Sequence, residues 1–271
     1  QKQSTGTISY LTHEDWKGDI IMKKIAFLGG GKIGRTMIAH VTEGKKAEVA
    51  FVYDPFVKDT DICGVKVVSD ITEDMFEGLD LVIECATAEV VAANIVTALK
   101  HCDFMPFSMT AFRDDELREK ARETSLTHGT RVYLPHGAIL GLDGIFDGRS
   151  ELTEVSVVTT KNPKALGRTD TEYTVLYEGS TREATKLYPR NVNVHAALAL
   201  AGIGFDKTHS KIVADPSVNT NTHEIHIVGK GIDFTIRVSS FSEGGVSGKY
   251  VPLSACGSLD RVLGGAGFQF V

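Results

Sequence analysis

The first half of the chain alternates short apolar runs with longer stretches of helical composition. The apolar runs are short enough to be buried strands, and they cover residues 24–28, 48–53, 79–84 and 104–109. Helical spacing or a charged amphipathic pattern is found at residues 35–41, 88–101 and 114–127. Residues 72–78 suit a short helix that Thr72 caps. Alternating strands and helices predict a parallel sheet.

The pattern changes after residues 131–134. The runs that follow alternate apolar and polar positions, which suits a sheet with one solvated face, at residues 154–160, 173–177, 207–213, 223–228 and 233–239. A helix of small residues is expected over 191–204, and a final helix over 252–263. The second half is therefore predicted to be an α+β domain.

Composition and charge limit the class of protein. The 271 residues are 42% hydrophobic and 24% charged, which is typical of a folded chain with one large or two modest domains. A net charge of −6 with 29 scattered basic residues disfavours nucleic acid and anionic lipid as partners. The longest apolar runs are much shorter than the roughly 20 residues that a membrane span needs. We therefore expect a soluble protein that acts on a small molecule.

Cysteine spacing and the first residues bear on the compartment. The paired spacing of a zinc site is missing among the four cysteines, which are Cys63, Cys85, Cys102 and Cys256. We expect no metal, and free thiols in a reducing cytoplasm. Residues 1–21 have no continuous apolar stretch, unlike a secretory signal peptide. Because Met22 looks like a natural start, they are expected to be an extension, a tag or a misassigned start.

A glycine-rich turn, GGGKIG, stands between the first predicted strand and the first predicted helix. It matches the G-x-G-x-x-G pattern of dinucleotide-binding turns, in which the first glycine permits the tight turn, the second lets the backbone approach a pyrophosphate and the third allows close packing of helix on strand. Free amides at the helix N-terminus would face the phosphates. Purely structural glycine turns are the alternative. The cofactor contacts expected here are Gly29, Gly31, Lys32, Ile33 and Gly34.

Asp54 ends the second predicted strand, 20 residues after Gly34. A carboxylate at this position can accept hydrogen bonds from the adenosine ribose and repel a 2′-phosphate, which favours NAD over NADP. Two alternatives stay open: Asp54 forms a turn before Pro55, or Lys58 binds the phosphate of NADP.

The predicted fold class is α/β, with an N-terminal Rossmann dinucleotide-binding domain and a second α+β catalytic domain. The expected boundaries are 22–135 for the Rossmann domain and 136–247 for the catalytic domain. The last segment, 248–271, holds a helix that is expected to return to the Rossmann domain.

Three histidines are candidates for proton transfer, since histidine titrates near neutrality. His223 follows Asn219 and Asn221 and is expected to open a strand, where side chains often face a pocket. His136 lies just past a predicted strand end, where ligands gather in open α/β sheets. His195 lies within a predicted helix and is expected to face a neighbouring helix. From the residues alone, a surface position or a purely structural, hydrogen-bonded role is favoured for each.

Four segments between Lys23 and about His226 resemble the L-aspartate dehydrogenase family: IAFLGGGKIG, LPHGAILGLDGI, LYPRNVNVHAALALAGIGFDKT and VADPSVNTNTHEI. The last two are specific, because an Asn-Val-Asn helix start followed at this distance by ADP and N-x-H is not a generic Rossmann feature. The resemblance implies NAD(P) and the reversible deamination of L-aspartate to oxaloacetate and ammonia through iminoaspartate. It also implies a catalytic His223 and dinucleotide contacts at Ala138 and Asn193.

The chain also departs from the family pattern. His136 stands where members commonly have Ser, Leu140 where they have a second Gly, and the stretch from Gly244 to Tyr250 lacks an expected Asn-Pro-Lys-Thr-Ser pattern. These departures bear on the exact substrate more than on the reaction type.

A dicarboxylate substrate needs cations near both carboxylates. The candidates for substrate contacts are His136, Lys186 and Arg190, with Lys164 beside them, and a solvated surface charge is the alternative for each cation. Two other functions stay open at this stage: another two-domain NAD(P)-dependent dehydrogenase of a small amino, hydroxy or semialdehyde acid, or a non-catalytic NAD-binding sensor. A cytoplasmic homodimer is expected.

Overall fold

Two β-sheets organise the computed structural model, which describes residues 22–241 and 250–264. The expectations about residues 1–21 and most of the stretch from Gly244 to Tyr250 lie outside the described residues. No helix in the part that is described is long and apolar enough to cross a membrane.

The first sheet has six strands in the order β3-β4-β2-β1-β5-β6. Their bounds are Lys24–Leu28 (β1), Glu48–Tyr53 (β2), Asp61–Ile62 (β3), Val65–Val68 (β4), Leu81–Glu84 (β5) and Asp103–Pro106 (β6). Every neighbouring pair is parallel except the β3–β4 hairpin. The predicted parallel sheet is confirmed, and β1 and β2 have the predicted bounds.

Helices cover both faces of this sheet. They are Lys32–Glu43 (α1), Ala88–Ala98 (α2) and Asp115–His128 (α3). Ile38 of α1 packs with Phe27 on one face, and Ile95 of α2 packs with Val82 on the other. Side chains alternate between the faces of a strand, so the almost wholly apolar strand β1 is buried on both sides.

The second sheet has five strands in the order β11-β10-β7-β9-β8, and only β7 and β9 are parallel. The strands are Leu152–Lys161 (β7), Thr174–Ser180 (β8), His209–Ala214 (β9), Thr220–Gly229 (β10) and Ile232–Phe241 (β11). Helices Leu142–Asp147 (α4), Thr181–Leu187 (α5) and Asn193–Ala201 (α6) accompany them. Val157 and Ile225 are buried in one cluster with α6, whereas Glu154 and Glu224 are exposed on the outer face. The predicted α+β domain with one solvated sheet face is confirmed.

The last helix, Tyr250–Leu263 (α7), packs against α1 of the first domain. Its Ala255 and Leu259 share an apolar cluster with Ile38. Asp260 accepts hydrogen bonds from Lys46 at 2.8 Å and from His40 at 2.9 Å.

Several predicted bounds differ from the structure by a few residues, and one predicted helix cap is absent. Strand β6 ends at Pro106 rather than at residue 109, because Ser108 bonds to Glu84 and the chain turns into a 3-10 helix at Met109–Arg113. The short helix Glu73–Phe76 forms without a capping bond from Thr72. Strand β10 begins at Thr220 rather than at residue 223, since its pairing with β11 extends that far.

Candidate active site

The glycine turn between β1 and α1 is forced by close backbone contacts. Gly29 has a φ of +123°, and a Cβ there would lie 2.8 Å from the Cys85 carbonyl carbon at the end of β5. A Cβ on Gly34 would overlap the Gly29 carbonyl oxygen. Both positions therefore need glycine for reasons internal to the fold.

Gly31 differs from these two glycines. Its φ of −76° is open to any residue, and no described atom lies within 4 Å of a Cβ built there. The space in front of this amide, at the N-terminus of α1, suits the close approach of a pyrophosphate. The turn therefore fits the dinucleotide that the sequence predicts.

Asp54 holds the end of β2 to this turn. One carboxylate oxygen accepts the Gly30 N–H at 2.8 Å, and the other accepts the amides of Phe56 and Val57. Its position beside the turn fits both the ribose role and the turn-forming role that the sequence leaves open. Lys58 is exposed.

Arg35 is a cation beside the turn that the sequence reading overlooked. Its guanidinium donates to the Gly30 carbonyl at 3.0 Å and pairs with Asp59. Arg35 is therefore a potential ligand for a 2′-phosphate near the turn, but its guanidinium already forms an ion pair with Asp59.

A cleft of about 710 Å³ lies between the two domains. Its Rossmann side is formed by the chain after β5 and β6, and its other side by the inner face of the second sheet and the start of α6. Of the residues predicted from the sequence, it is lined by Ile33, His136, Ala138, Arg190, Asn193 and His223. This is the carboxyl edge of the parallel strands, where open α/β sheets bind ligands.

The other predicted substrate cations lie elsewhere. Lys186 is exposed on α5, pairs with Glu183, one turn earlier, at 2.6 Å, and is not part of the cleft wall. Lys164 is also exposed and is not part of the cleft wall. Lys32, at the first position of α1, is exposed beside the glycine turn.

His223 lies in the interior of β10 and is only 3% exposed. Its Nδ1 lies 2.8 Å from the hydroxyl of Thr159, its partner across the strands, and Nε2 has no hydrogen-bond partner among the residues described. Burial, and secondarily the charge of Lys161, lower the pKa of His223 to about 3. The imidazole is therefore neutral, with one nitrogen free toward the cleft.

Lys161, which the sequence analysis missed, ends β7 inside the cleft. Its side chain is buried, donates to the Asn191 side-chain oxygen at 3.2 Å, and has its pKa lowered to about 8 by burial. A signal was available: Val155, Val157, Thr159 and Lys161 occupy the buried, alternate positions of one strand. An ammonium on the core face of a sheet indicates a site for a negatively charged ligand.

Asn221 stands two residues before His223 on the same face of β10. It is 8% exposed, lines the cleft, and its side-chain oxygen has no partner among the residues described. A buried acceptor without a donor costs roughly 1–3 kcal/mol. A ligand with an N–H or O–H group could supply that donor.

His195 is completely buried on α6 and faces the sheet, not a neighbouring helix as expected. Its Nε2 lies 2.6 Å from the Thr159 hydroxyl and its Nδ1 lies 2.8 Å from the Ser210 hydroxyl. The imidazole faces the sheet because a buried polar ring needs hydrogen-bond partners, and these two hydroxyls supply them.

Glu84 is a second buried group that the sequence analysis missed. Its carboxyl accepts hydrogen bonds from the Ala86 amide and from both the amide and the hydroxyl of Ser108. Burial raises its pKa to about 7 against these bonds. Glu84 therefore joins the ends of β5 and β6 where they form the cleft wall.

His136 is half-buried and lines both this cleft and an adjoining smaller one. Burial and the charge of Arg261 lower its pKa, whereas Asp143 raises it. It is thus a second neutral histidine at the cleft.

Comparisons with known proteins agree with this architecture. The family model for the aspartate dehydrogenase C-terminal domain matches residues 145–262, and the model for the homoserine dehydrogenase NAD-binding domain matches residues 29–135. The chain is 35% identical to L-aspartate dehydrogenase of Methanococcoides burtonii, over 81% of this chain and 88% of that one. It is 33% identical to the same enzyme of Nitrosopumilus maritimus, over 89% and 96%. The crystal structure of aspartate dehydrogenase from Thermotoga maritima superposes with a TM-score of 0.74 at 30% identity, covering 89% of this chain and 95% of that one.

Proposed function

The chain belongs to the L-aspartate dehydrogenase family, and from that premise we propose that it catalyses the reversible, NAD(P)-dependent deamination of L-aspartate. The products are oxaloacetate and ammonia, formed through iminoaspartate. The observation that carries the proposal is the cleft, whose wall includes Ile33 at the start of α1, the buried ammonium of Lys161 and the neutral imidazole of His223.

NAD(P), when bound, supplies nicotinamide C4 as the acceptor of the hydride that leaves Cα of the amino acid. The amides of the glycine turn, with Lys32 and Ile33 at the start of α1, would hold the pyrophosphate. Asp54 would accept hydrogen bonds from the ribose hydroxyls, which favours NAD. Ala138 and Asn193 would contact the dinucleotide from the cleft wall.

His223 is the proposed proton-transfer group. With Nδ1 directed at Thr159, Nε2 is free to accept a proton from the water that adds to the imine, and to return one in the reverse direction. A substrate carboxylate beside Lys161 would offset the ammonium charge and so raise the pKa of His223 from its low value.

Lys161 is the proposed partner of a substrate carboxylate. A buried ammonium gains more from a charged acceptor than from its present contact with Asn191, because charge-assisted hydrogen bonds are about twice as strong as neutral ones. Arg190, exposed at the mouth of the cleft, is the proposed partner of the second carboxylate. His136 is proposed to influence substrate affinity rather than turnover.

A second copy of the chain is the proposed protein partner, in a cytoplasmic homodimer. The edge strand β11 supports this proposal, since it is ten residues long, pairs on one side only within the described part of the chain, and exposes Ile232 and Phe241. All four cysteines are free thiols, as suits a reducing compartment. Light scattering should give twice the 29.3 kDa chain mass.

The proposed activity is tested by following cofactor reduction with L-aspartate, D-aspartate, glutamate, alanine, homoserine and malate, each with NAD and with NADP. L-Aspartate should give the highest kcat/KM by a wide margin. Reduction with another substrate at higher efficiency, or with none of them, would contradict the proposal.

A further inference from the structure

A line of hydrogen bonds runs from His223 into the core of the second domain, and all its side chains are buried. The five contacts measure 2.8, 2.6, 2.8, 2.7 and 3.1 Å. In order, they join His223 Nδ1, Thr159 Oγ1, the two nitrogens of His195, Ser210 Oγ, Thr181 Oγ1 and the Thr208 carbonyl oxygen.

The far end of this line sets the direction of every donor. A carbonyl oxygen only accepts, so the Thr181 hydroxyl must donate to Thr208. A hydroxyl has one proton, so Thr181 then accepts from the Ser210 hydroxyl. Ser210, its own proton used, accepts in turn from Nδ1–H of His195.

The same count continues to the cleft. A neutral imidazole has one N–H, so Nε2 of His195 accepts from the Thr159 hydroxyl. Thr159 then accepts from Nδ1–H of His223, which leaves the lone pair on Nε2. This assignment of donors requires both imidazoles to be neutral. Burial lowers the pKa of both histidines well below the ordinary range, so they are neutral.

We propose that Thr159 and His195 are positioning residues that hold His223 as the Nδ1–H tautomer, with the Nε2 lone pair directed toward the cleft. The proposal deepens the proposed function and rests on it for the role of His223. Because a proton taken up at Nε2 leaves Nδ1–H in place, the histidine can gain and lose a proton without disturbing any bond of the line.

The opposite tautomer is disfavoured by the same contacts. In that tautomer the donor and acceptor roles of Thr159, His195 and Ser210 would all be exchanged. The Thr181 hydroxyl would then donate to Ser210 and lose its hydrogen bond to the Thr208 carbonyl. Since the line ends on an oxygen without a proton, it orients His223 and does not carry protons away from the cleft. The one described charge that acts on the His223 imidazole is the Lys161 ammonium, from β7.

The test uses nitrogen NMR of the NAD-bound protein with labelled histidine, and His223→Gln identifies the signals of His223. Wild-type protein and Thr159→Ser, which keeps the hydroxyl, should both show a protonated Nδ1 and an unprotonated Nε2 at neutral pH. Thr159→Val should show a mixture of tautomers. Its kcat should fall about 10- to 100-fold, a part of the loss expected when a base is removed, with the KM for NAD unchanged.

Thr185→Val is the matched control, because it deletes a buried hydroxyl that bonds within α5 and lies outside the line. It should leave both the NMR signature and kcat unchanged. If Thr159→Val does not fold, Thr181→Val takes its place. It removes the hydroxyl that donates to the Thr208 carbonyl at the far end of the line, and should also give mixed tautomers. The proposal is overturned if wild-type His223 carries its proton on Nε2, or if the folded variant keeps the wild-type signature. Because the tautomer is read without substrate, it can be established even if L-aspartate is not turned over.

Discussion

The ammonium of Lys161 and the imidazole of His223 line the same cleft from neighbouring strands, and the charge of the first helps burial to hold the pKa of the second at about 3. The charge of Lys161 thus affects the basicity of His223. A carboxylate that binds Lys161 would also make His223 a better base.

Replacing Lys161 with Met should weaken substrate binding and leave cofactor binding intact. Loss of a hydrogen bond to a charged group costs roughly 1.5–3 kcal/mol, so the KM for L-aspartate should rise about 10- to 150-fold. Steady-state kinetics and an NAD titration measure the two effects. Lys164→Met, three residues on and exposed, is the control and should change neither. A normal KM in the Lys161 variant would remove that residue from the substrate site.

Replacing His223 with Asn should depress turnover while the dissociation constant for NAD stays nearly unchanged. Loss of a positioned base or acid typically costs about 10²–10⁴-fold in rate. His136→Ser, which introduces the residue that is common in the family, should chiefly alter the KM for substrate. If His136→Ser abolished turnover and His223→Asn stayed within a few-fold of the parent, His136 would be the base.

Substitutions at Gly31 and Gly34 should have different effects, the first on dinucleotide binding and the second on stability. Gly31→Val places its side chain in open space, so the protein should fold with an unchanged melting temperature and lose dinucleotide binding. Gly34→Ala places a methyl group against the Gly29 carbonyl and should cost about 1–3 kcal/mol of stability. Thermal unfolding and an NAD titration separate the outcomes, and unchanged NAD affinity in Gly31→Val would remove the turn from the site.

Glu84 should make the protein less stable as the pH rises. Its pKa of about 7 in the folded protein lies above its ordinary value of 4.5, so the folded state binds more protons in that interval and the free energy of unfolding falls with pH. The contribution is fully present below about pH 4.5 and is lost through pH 7, by roughly 3 kcal/mol at 1.36 kcal/mol per unit.

Glu84→Gln removes this proton and should flatten that part of the pH profile. Denaturant unfolding of both proteins between pH 5 and pH 8 gives the difference. Parallel profiles would mean that Glu84 is ionised throughout the range.

Local pattern was sufficient for much of the fold. Strands β1 and β2 were predicted to the residue because each is an apolar run between clear turn signals. The hairpin of Asp61–Ile62 and Val65–Val68 was missed, since two and four residues are too short to show a period.

The site was harder to predict, because its burial depends on contacts between distant segments. The alternation along β7 places Lys161 on the core face, but its hydrogen-bond acceptor, Asn191, lies 30 residues away and cannot be identified from the pattern. His195 faces the sheet because Ser210 and Thr159 lie there, which no helical pattern reveals. Asn221 belongs to the buried part of a strand although its type is common in turns.

The central claim, that this chain removes hydride from Cα of L-aspartate, is tested most directly with substrate deuterated at that carbon. After incubation of the protein with this substrate and NAD, mass spectrometry and NMR report whether deuterium has reached the nicotinamide ring. The account predicts one deuterium at C4 for each oxaloacetate formed, and greatly slowed formation of oxaloacetate in His223→Asn. Oxaloacetate or reduced cofactor that forms without deuterium at C4 would contradict it.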